Sequence, residues 1–434
     1  MFRIEVRRTQ YHDSIVLMAA SARMLAVAGT EAAMAAMATP LNLDVLRDSG
    51  LWDGSVAAGP DDLVLAARGR DPEAAIRAGE TALAERTIPP EAGGRTPPRT
   101  VRAAARALAG ANLAVVSVPG EHAAWVCWDA LRAGLHVFCF SDNVSVADEV
   151  GLKDEALRQG LLMMGPDCGT AIIDGVGLGF WNEVPRGRVG LVGASGTGVQ
   201  QLCCLLAHQG VGVSHAIGVG GRDLSPEVGG RMTREAIRRL DEDPETDVIV
   251  VVSKPAAAEL TARKPLVAAL LGPGVDLTEV ALRVGGGRLP GPPEPLDWEG
   301  PVTGVFSGGT LRDEAALAWS ADARPERFTA IDYGADEHTR GRPHPMIDHR
   351  LRLEAIRRAE GLVYLDVVLG HGAHPDPAAE LAPALADQPA VVALIGTEAD
   401  PQGLARQRAA FERAGARVHL SNSQAARSLV RPWR

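Results

Sequence analysis

Two short glycine-rich turns carry the most legible chemistry in this 434-residue chain. In Gly193-Ala-Ser-Gly-Thr-Gly198 an apolar run ends and a helical pattern begins. Val302-Thr-Gly-Val-Phe-Ser-Gly-Gly-Thr310 repeats the same grammar. Small residues let backbone N–H groups converge on an anion at a helix N-terminus, where the dipole is positive. Neither turn is GxGxxG or holds a Walker lysine, so neither predicts a dinucleotide or P-loop site. Two such turns could hold one phosphate from both sides, or else be tight strand–helix turns that bind nothing. Ser195, Gly196, Thr197 and Gly198 would line one side, and Ser307, Gly308, Gly309 and Thr310 the other. Each terminus would bring about 0.5 of a positive charge.

Four further segments could supply reacting groups. Gly218-Val-Gly-Gly-Arg-Asp-Leu224 offers Arg222 as a phosphate or oxyanion ligand, or else a structural turn with Asp223 capping the next helix. Gly165-Pro-Asp-Cys-Gly-Thr170 is a sharp loop after a strand, and Cys168 has no basic partner that would make it a nucleophile. Between Asp332 and Asp348 the prolines at 343 and 345 restrict the backbone around His344, while Arg340 and Arg342 suit a carboxylate or phosphate. In Asp366-Val-Val-Leu-Gly-His-Gly-Ala-His-Pro-Asp-Pro377 a strand ends and a loop carries His371 and His374. Ligands bind at such carboxyl ends of parallel strands. No ligand set with fixed metal spacing appears there, so no metal is expected. Histidine titrates near neutrality, so His344 or His374 is the expected proton-transfer group, with Arg222 and Arg342 beside it. Arg340 and Asp366 are the expected substrate contacts.

The elements that must position these residues alternate strand and helix from about residue 113 to the C-terminus. That alternation predicts parallel sheets covered on both faces. Pro/Gly-rich stretches at 88–98 and 285–295 read as linkers. The first unit, with a strand at Phe2–Val6, helices near 13–28 and 71–86 and a strand at 62–68, reads as a small α+β domain, ferredoxin-like in outline. Net charge is −10 and aromatics are 4 %, which argues against nucleic acid and anionic membranes as partners. Five cysteines without a CxxC pair point to a reducing compartment, the cytoplasm. Acidic residues and Arg23 interrupt the N-terminal apolar stretch, so no secretory signal is expected. Lysine occurs only at 153, 254 and 264.

Taken together, these motifs resemble the FdrA family, whose central region is similar to the succinyl-CoA synthetase α subunit. The matching residues are Met164–Ala171, Gly190–Gly198, His215–Leu224, Ser307–Leu311, Gly341–Met346, Leu365–Gly370, Gly372–Asp376 and Gly396–Gln402. The resemblance implies an α/β chain. A small α+β domain would cover 1–88 and a CoA-binding-like Rossmann domain 99–185. Two ligase-type flavodoxin-like domains would follow, at 186–285 and 298–434. In the synthetases, two facing helix N-termini hold the phosphate of a phosphohistidine, and the two glycine turns match those positions. The loop that would carry this histidine reads Leu271-Gly-Pro-Gly-Val-Asp276 and has none.

A phosphate that arrives on the substrate suits such a site. The family resembles a subunit of oxamate carbamoyltransferase of purine (allantoin) catabolism, which interconverts oxalurate plus phosphate with oxamate plus carbamoyl phosphate. That implies other enzyme subunits as partners. Two alternatives stand beside it. One is an acyl-CoA synthetase half-subunit that binds CoA near Ser117-Val-Pro119 and Gly165-Pro166. The other is a non-catalytic anion-binding assembly subunit.

Overall fold

The computed structural model describes residues 2–10, 12, 14–85, 98–254, 259–287, 295–339 and 342–430. The chain divides into two compact units, Met1–Pro97 and Pro98–Arg434.

The first unit is a three-stranded antiparallel sheet, with Leu63–Gly69 between Phe2–Arg7 and Thr30–Met37. Helices Ser14–Leu25 and Pro72–Glu85 pack one face through Leu17, Met24, Leu65 and Ile76, while Leu46, Leu51 and Trp52 cover the other through Val64 and Ala66. The strand Thr30–Met37 is a finding that the sequence reading lacks, because its Ala/Met run carries helix propensity. Its alternation decides the outcome: Ala33, Ala35 and Met37 enter one core, and Ala32 and Met34 face the other.

The second unit holds three sheets. Strands Leu113–Val116, His136–Cys139 and Met163–Met164 form a small parallel sheet. The next sheet has six strands. Four are parallel, in the order Leu266–Leu270, Val248–Ser253, Arg186–Gly193, Val213–Gly218. A hairpin, Thr170–Ile173 with Val176–Gly179, adds antiparallel to the last of these through Ala216 and Ile172. The hairpin precedes the expected boundary at 185 yet pairs with the sheet that follows it. The C-terminal sheet is wholly parallel: Phe328–Asp332, Val302–Phe306, Leu362–Val368, Ala390–Ile395, Arg417–His419.

Counted in chain order, the C-terminal strands lie second, first, third, fourth, fifth. This is the flavodoxin-like order, with its switch point between the first and third strands. The parallel part of the six-stranded sheet has the same arrangement, with Arg186–Gly193 beside Val248–Ser253. Each glycine turn therefore leaves the first strand of its sheet at a switch point. No described helix is long and apolar enough to cross a membrane.

A buried charge cluster fixes the Gly218–Leu224 loop against the helix Val146–Gln159. Lys153 is fully buried, and its Nζ donates to Glu149 (2.6 Å), Asp223 (2.7 Å) and the Val219 carbonyl (2.9 Å). Asp223 also accepts from Met232 N, Thr233 N and Thr233 Oγ1 at the start of the helix Arg231–Glu242. The structural alternative for Asp223 is the one observed. Removing one partner leaves buried charge uncompensated, which costs roughly 3–5 kcal/mol. Lys153→Ala is accordingly expected to lower the urea midpoint strongly, while Arg238→Ala, in an exposed helix ion pair, leaves it near the wild-type value.

Candidate functional site

The two glycine turns meet. The helix Gly196–His208 starts at Ser195, whose Oγ accepts from Gly198 N at 3.0 Å, so the first turn is capped from within. The helix Gly309–Trp319 starts at Gly308 with no side-chain cap, which leaves its first N–H groups to be satisfied by something else. The Ser195 and Thr310 hydroxyls hydrogen-bond to each other across the junction. Glycine makes this approach feasible. A Cβ at Gly198 would lie 2.8 Å from Ser195 Oγ and 3.0 Å from Thr310 Cγ2. One at Gly308 would lie 2.5 Å from the Thr197 side chain. The sequence expectation that the turns face one another thus corresponds to a direct contact. Ser195, Thr197, Gly198, Gly308 and Thr310 make it, and Gly196 and Gly309 adjoin them in the chain.

Ser307 and Asp366 have a different place from the expected one. Ser307 donates its N–H (2.8 Å) and its hydroxyl (3.0 Å) to the Asp366 carboxylate. Asp366 is fully buried and pairs with Arg352 Nη2 at 2.8 Å. Burial raises the Asp366 carboxyl to about 6, against the pull of Arg352 and the Ser307 hydrogen bonds. Its acceptor sites are thus occupied, and the triad forms the floor beneath the turn rather than a substrate contact. Arg352 was not singled out in the sequence because it sits in an ordinary arginine-rich helix, Arg350–Arg358.

Arg222 is also committed to structure. It donates to Glu149 (3.0 Å) and to the Val144 carbonyl (2.8 Å), so it braces the glycine loop. Arg340 lies outside the described residues. Arg342 N donates to Thr339 O in the loop before His344.

His344 lies near the strand end that precedes the second turn. A Cβ on Gly334 would lie 2.5 Å from the Ser307 carbonyl and 3.0 Å from His344 Nε2. Met346 N donates to His344 Nδ1 at 3.2 Å, which places the proton of the neutral ring on Nε2. Burial lowers this imidazole to about 4, with the Arg352 charge adding to the effect. His344 is therefore suited to donating a hydrogen bond from Nε2, rather than to attacking as a nucleophile.

His374 belongs to a separate cluster. Its Nε2 pairs with Glu380 Oε1 at 3.4 Å, and Glu380 Oε2 lies 3.1 Å from His349 Nδ1. These three side chains could hold a metal by proximity alone. However, Asp376 N donates to His374 Nδ1 at 3.1 Å, so Nε2 carries the proton and faces Glu380 as a hydrogen-bond donor rather than offering a lone pair to a metal.

Two groups outside the sequence expectations lie beside Gly309. Lys254 follows the strand Val248–Ser253, with Nζ 4.0 Å from where a Gly309 Cβ would lie and 3.8 Å from Asp313. Its signal was the scarcity of lysine and its place at a strand end. Asp332 Oδ2 is 2.9 Å from the same Gly309 position, and burial raises this carboxyl. Cys168 is buried, and burial pushes its thiol up to about 12, so it is inert as a nucleophile.

Two predictions follow from this geometry. Gly308→Ala drives a methyl group into Thr197, so it should lower the thermal midpoint by an overpacking cost of about 1–3 kcal/mol. The hydrogen bond to Glu380 raises the His374 pKa, so the contribution of this histidine is full below its unfolded pKa and fades as pH rises through the raised value. In Glu380→Gln an NMR titration of the His374 ring should therefore shift to lower pH; an unchanged titration would refute the pairing.

Family models match three parts of the chain. The AllF, heavy metal-associated domain matches residues 1–97, the CoA binding domain 185–269 and CoA-ligase 305–430. The first unit offers no thiol to a heavy metal. Residues 1–97 contain no cysteine, and Met24 and Met37 are buried in the core. Among the described residues the one metal-like group is the His349 cluster, in the other unit. The chain is 34 % identical over 462 residues to YahF of Escherichia coli, spanning 91 % of this chain and 89 % of that protein. It is 32 % identical over 156 residues to the succinate–CoA ligase [ADP-forming] α subunit of Aquifex aeolicus, covering 35 % of this chain and 50 % of that one. For the mitochondrial α-2 subunit of Trichomonas vaginalis the identity is 29 %, covering 41 % and 63 %. The chain thus spans only half to under two thirds of these ligase subunits. Near full-length similarity to YahF and the three matched domains place the chain in the YahF family, whose architecture is succinyl-CoA synthetase α-like.

Proposed function

We propose that the chain is an enzyme subunit that handles an acyl phosphate, with the phosphoryl group held between the N-termini of the helices Gly196–His208 and Gly309–Trp319. The hydrogen bond between Ser195 and Thr310 carries this reading, because it brings two positive helix ends to one point. The matched CoA-ligase domain supports the general class. Within it, Lys254 would add positive charge beside Gly309, and His344 Nε2 would donate to an oxygen that gains charge in the transition state. Arg342 is the remaining candidate for the substrate carboxylate.

The loop Leu271–Asp276 has no histidine to accept phosphate, which favours a phosphate that arrives with the substrate. The finer reading is therefore carbamoyl transfer in an FdrA-type subunit. A phosphate oxygen attacks the ureido carbonyl of oxalurate, the bond from that carbon to the oxamate nitrogen breaks, and the phosphate proton passes to that nitrogen. Carbamoyl phosphate and oxamate result. Partner subunits would complete this enzyme.

The competing reading is an acyl-CoA synthetase subunit, supported by the ligase relatives. The helix Gly120–Arg132 begins without a side-chain cap behind Leu113–Val116, and a CoA diphosphate would suit that end. Incubation of the reconstituted complex with oxalurate and phosphate separates the two. Carbamoyl phosphate should form, and His344→Ala should lower the rate by about 10²–10³-fold. Turnover that instead needs CoA and ATP, with no phosphorolysis of oxalurate, supports the ligase reading. No turnover in either case, with Lys254→Ala and His344→Ala leaving complex assembly unchanged, would leave only an assembly role.

A further inference from the structure

The loop Gly165–Thr170 ends on a group that nothing above uses. Thr170 is the first residue of the strand Thr170–Ile173 and is 2 % exposed. Its hydroxyl oxygen is enclosed and has no hydrogen-bond partner among the described residues. A buried hydroxyl without a partner is costly, and native proteins hold few of them.

The place of this hydroxyl is specific. A Cβ at Gly196 would lie 3.2 Å from Thr170 Oγ1. Gly196 is the first residue of the helix Gly196–His208, directly after the capping Ser195. Ser195 Oγ accepts from Gly198 N, which leaves the N–H groups of Gly196 and Thr197 without an acceptor among the described residues. Those two donors and Thr170 Oγ1 share one corner of the junction. After Oγ1, the atoms nearest the Gly196 position are Gly169 Cα at 3.7 Å and Gly169 C at 3.9 Å. Gly169 and Gly196 are both half-buried, so bare backbone walls this corner.

Thr170 is also held in place. It pairs with Gly179 across the hairpin, and its carbonyl accepts from Cys168 Sγ at 3.6 Å. Gly218 packs on that same carbonyl, where a Cβ would clash. The main chain therefore has little room to turn the hydroxyl toward another partner. A branched side chain is stiff about its first torsion as well.

We propose that Thr170 is a ligand to the bound anion: its hydroxyl donates to an oxygen that the Gly196 and Thr197 N–H groups hold at the helix start. The inference rests on the two-helix anion site and adds to it a contact from outside both turns. A small shift of bare backbone, with no side chain to move, brings the hydroxyl and the ligand oxygen together. An oxyanion is the class that fits, because all three groups can donate and the helix end is positive. The loop Gly165–Thr170 thus delivers a hydroxyl to the site rather than a thiol.

Sulfate is the probe, measured by calorimetry on the full chain, with Thr170→Val and Thr170→Ser beside the wild type. Valine keeps a branched shape suited to a strand and removes the donor. Thr170→Val should bind sulfate about tenfold more weakly, the value of one hydrogen bond to a charged group. Thr170→Ser keeps the donor and should bind close to wild-type affinity. Without sulfate, the thermal midpoint of Thr170→Val should equal or exceed that of the wild type, since a methyl group replaces an unpaired buried hydroxyl. A lower midpoint with unchanged affinity would mean a structural hydroxyl and would overturn the proposal. Equal loss of affinity in both variants would overturn it too, because the donor would then be irrelevant. Either result leaves the anion site standing. No sulfate binding by the wild-type chain would remove the anion site itself, and this contact with it.

Discussion

The contact between the starts of two helices organises the second unit of this protein. The termini are both positive, so bringing them together is unfavourable unless something negative lies nearby. Two hydroxyls bridge them, and Asp332 sits beside Gly309 as an internal partial counter-charge. The approach is possible because Gly198 and Gly308 carry no side chain where Thr310 and Thr197 must pass. Behind it, the Ser307–Asp366–Arg352 group holds one strand end, and the Lys153 cluster holds the loop Gly218–Leu224. These buried charges are fully engaged within the protein. Asp366 spends its hydrogen-bonding capacity on Ser307 and Arg352, so it holds shape rather than facing a substrate.

Much of this was legible in the sequence, for a physical reason. A strand that runs into Gly-Ala-Ser-Gly-Thr-Gly and then a helical pattern has few conformations open to it, and the second turn repeats the constraint. Flavodoxin-like topology then places both turns at switch points. Other features were hidden. Arg352 matters through burial against Asp366, and sequence carries no sign of which arginine in Arg350–Arg358 is buried. The strand Thr30–Met37 was missed because its alanines favour helix locally, while the sheet faces on either side reward alternation.

Family and activity separate at the loop Leu271–Asp276. The domains and the near full-length relative define the architecture. Architecture alone does not select a reaction, because chemistry resides in particular groups. Here the two helix ends suit phosphate, and the loop Leu271–Asp276, where the resemblance to the synthetases implies a phosphate-accepting histidine, reads Leu-Gly-Pro-Gly-Val-Asp. His344 approaches from the C-terminal side as a neutral donor. These features favour a substrate-borne phosphate over a phosphoenzyme. The N-terminal unit shows the same separation, since its fold matches a heavy metal-associated model without a thiol to bind one.

The central claim is that one oxyanion binds where the two helices meet. Crystals soaked in tungstate, an electron-dense tetrahedral oxyanion, test it most directly by anomalous scattering. The account predicts a peak within hydrogen-bonding distance of the backbone N–H groups that open both helices, at Gly196–Gly198 and Gly309–Leu311. A peak confined to surface arginines, with none at this junction, would contradict it.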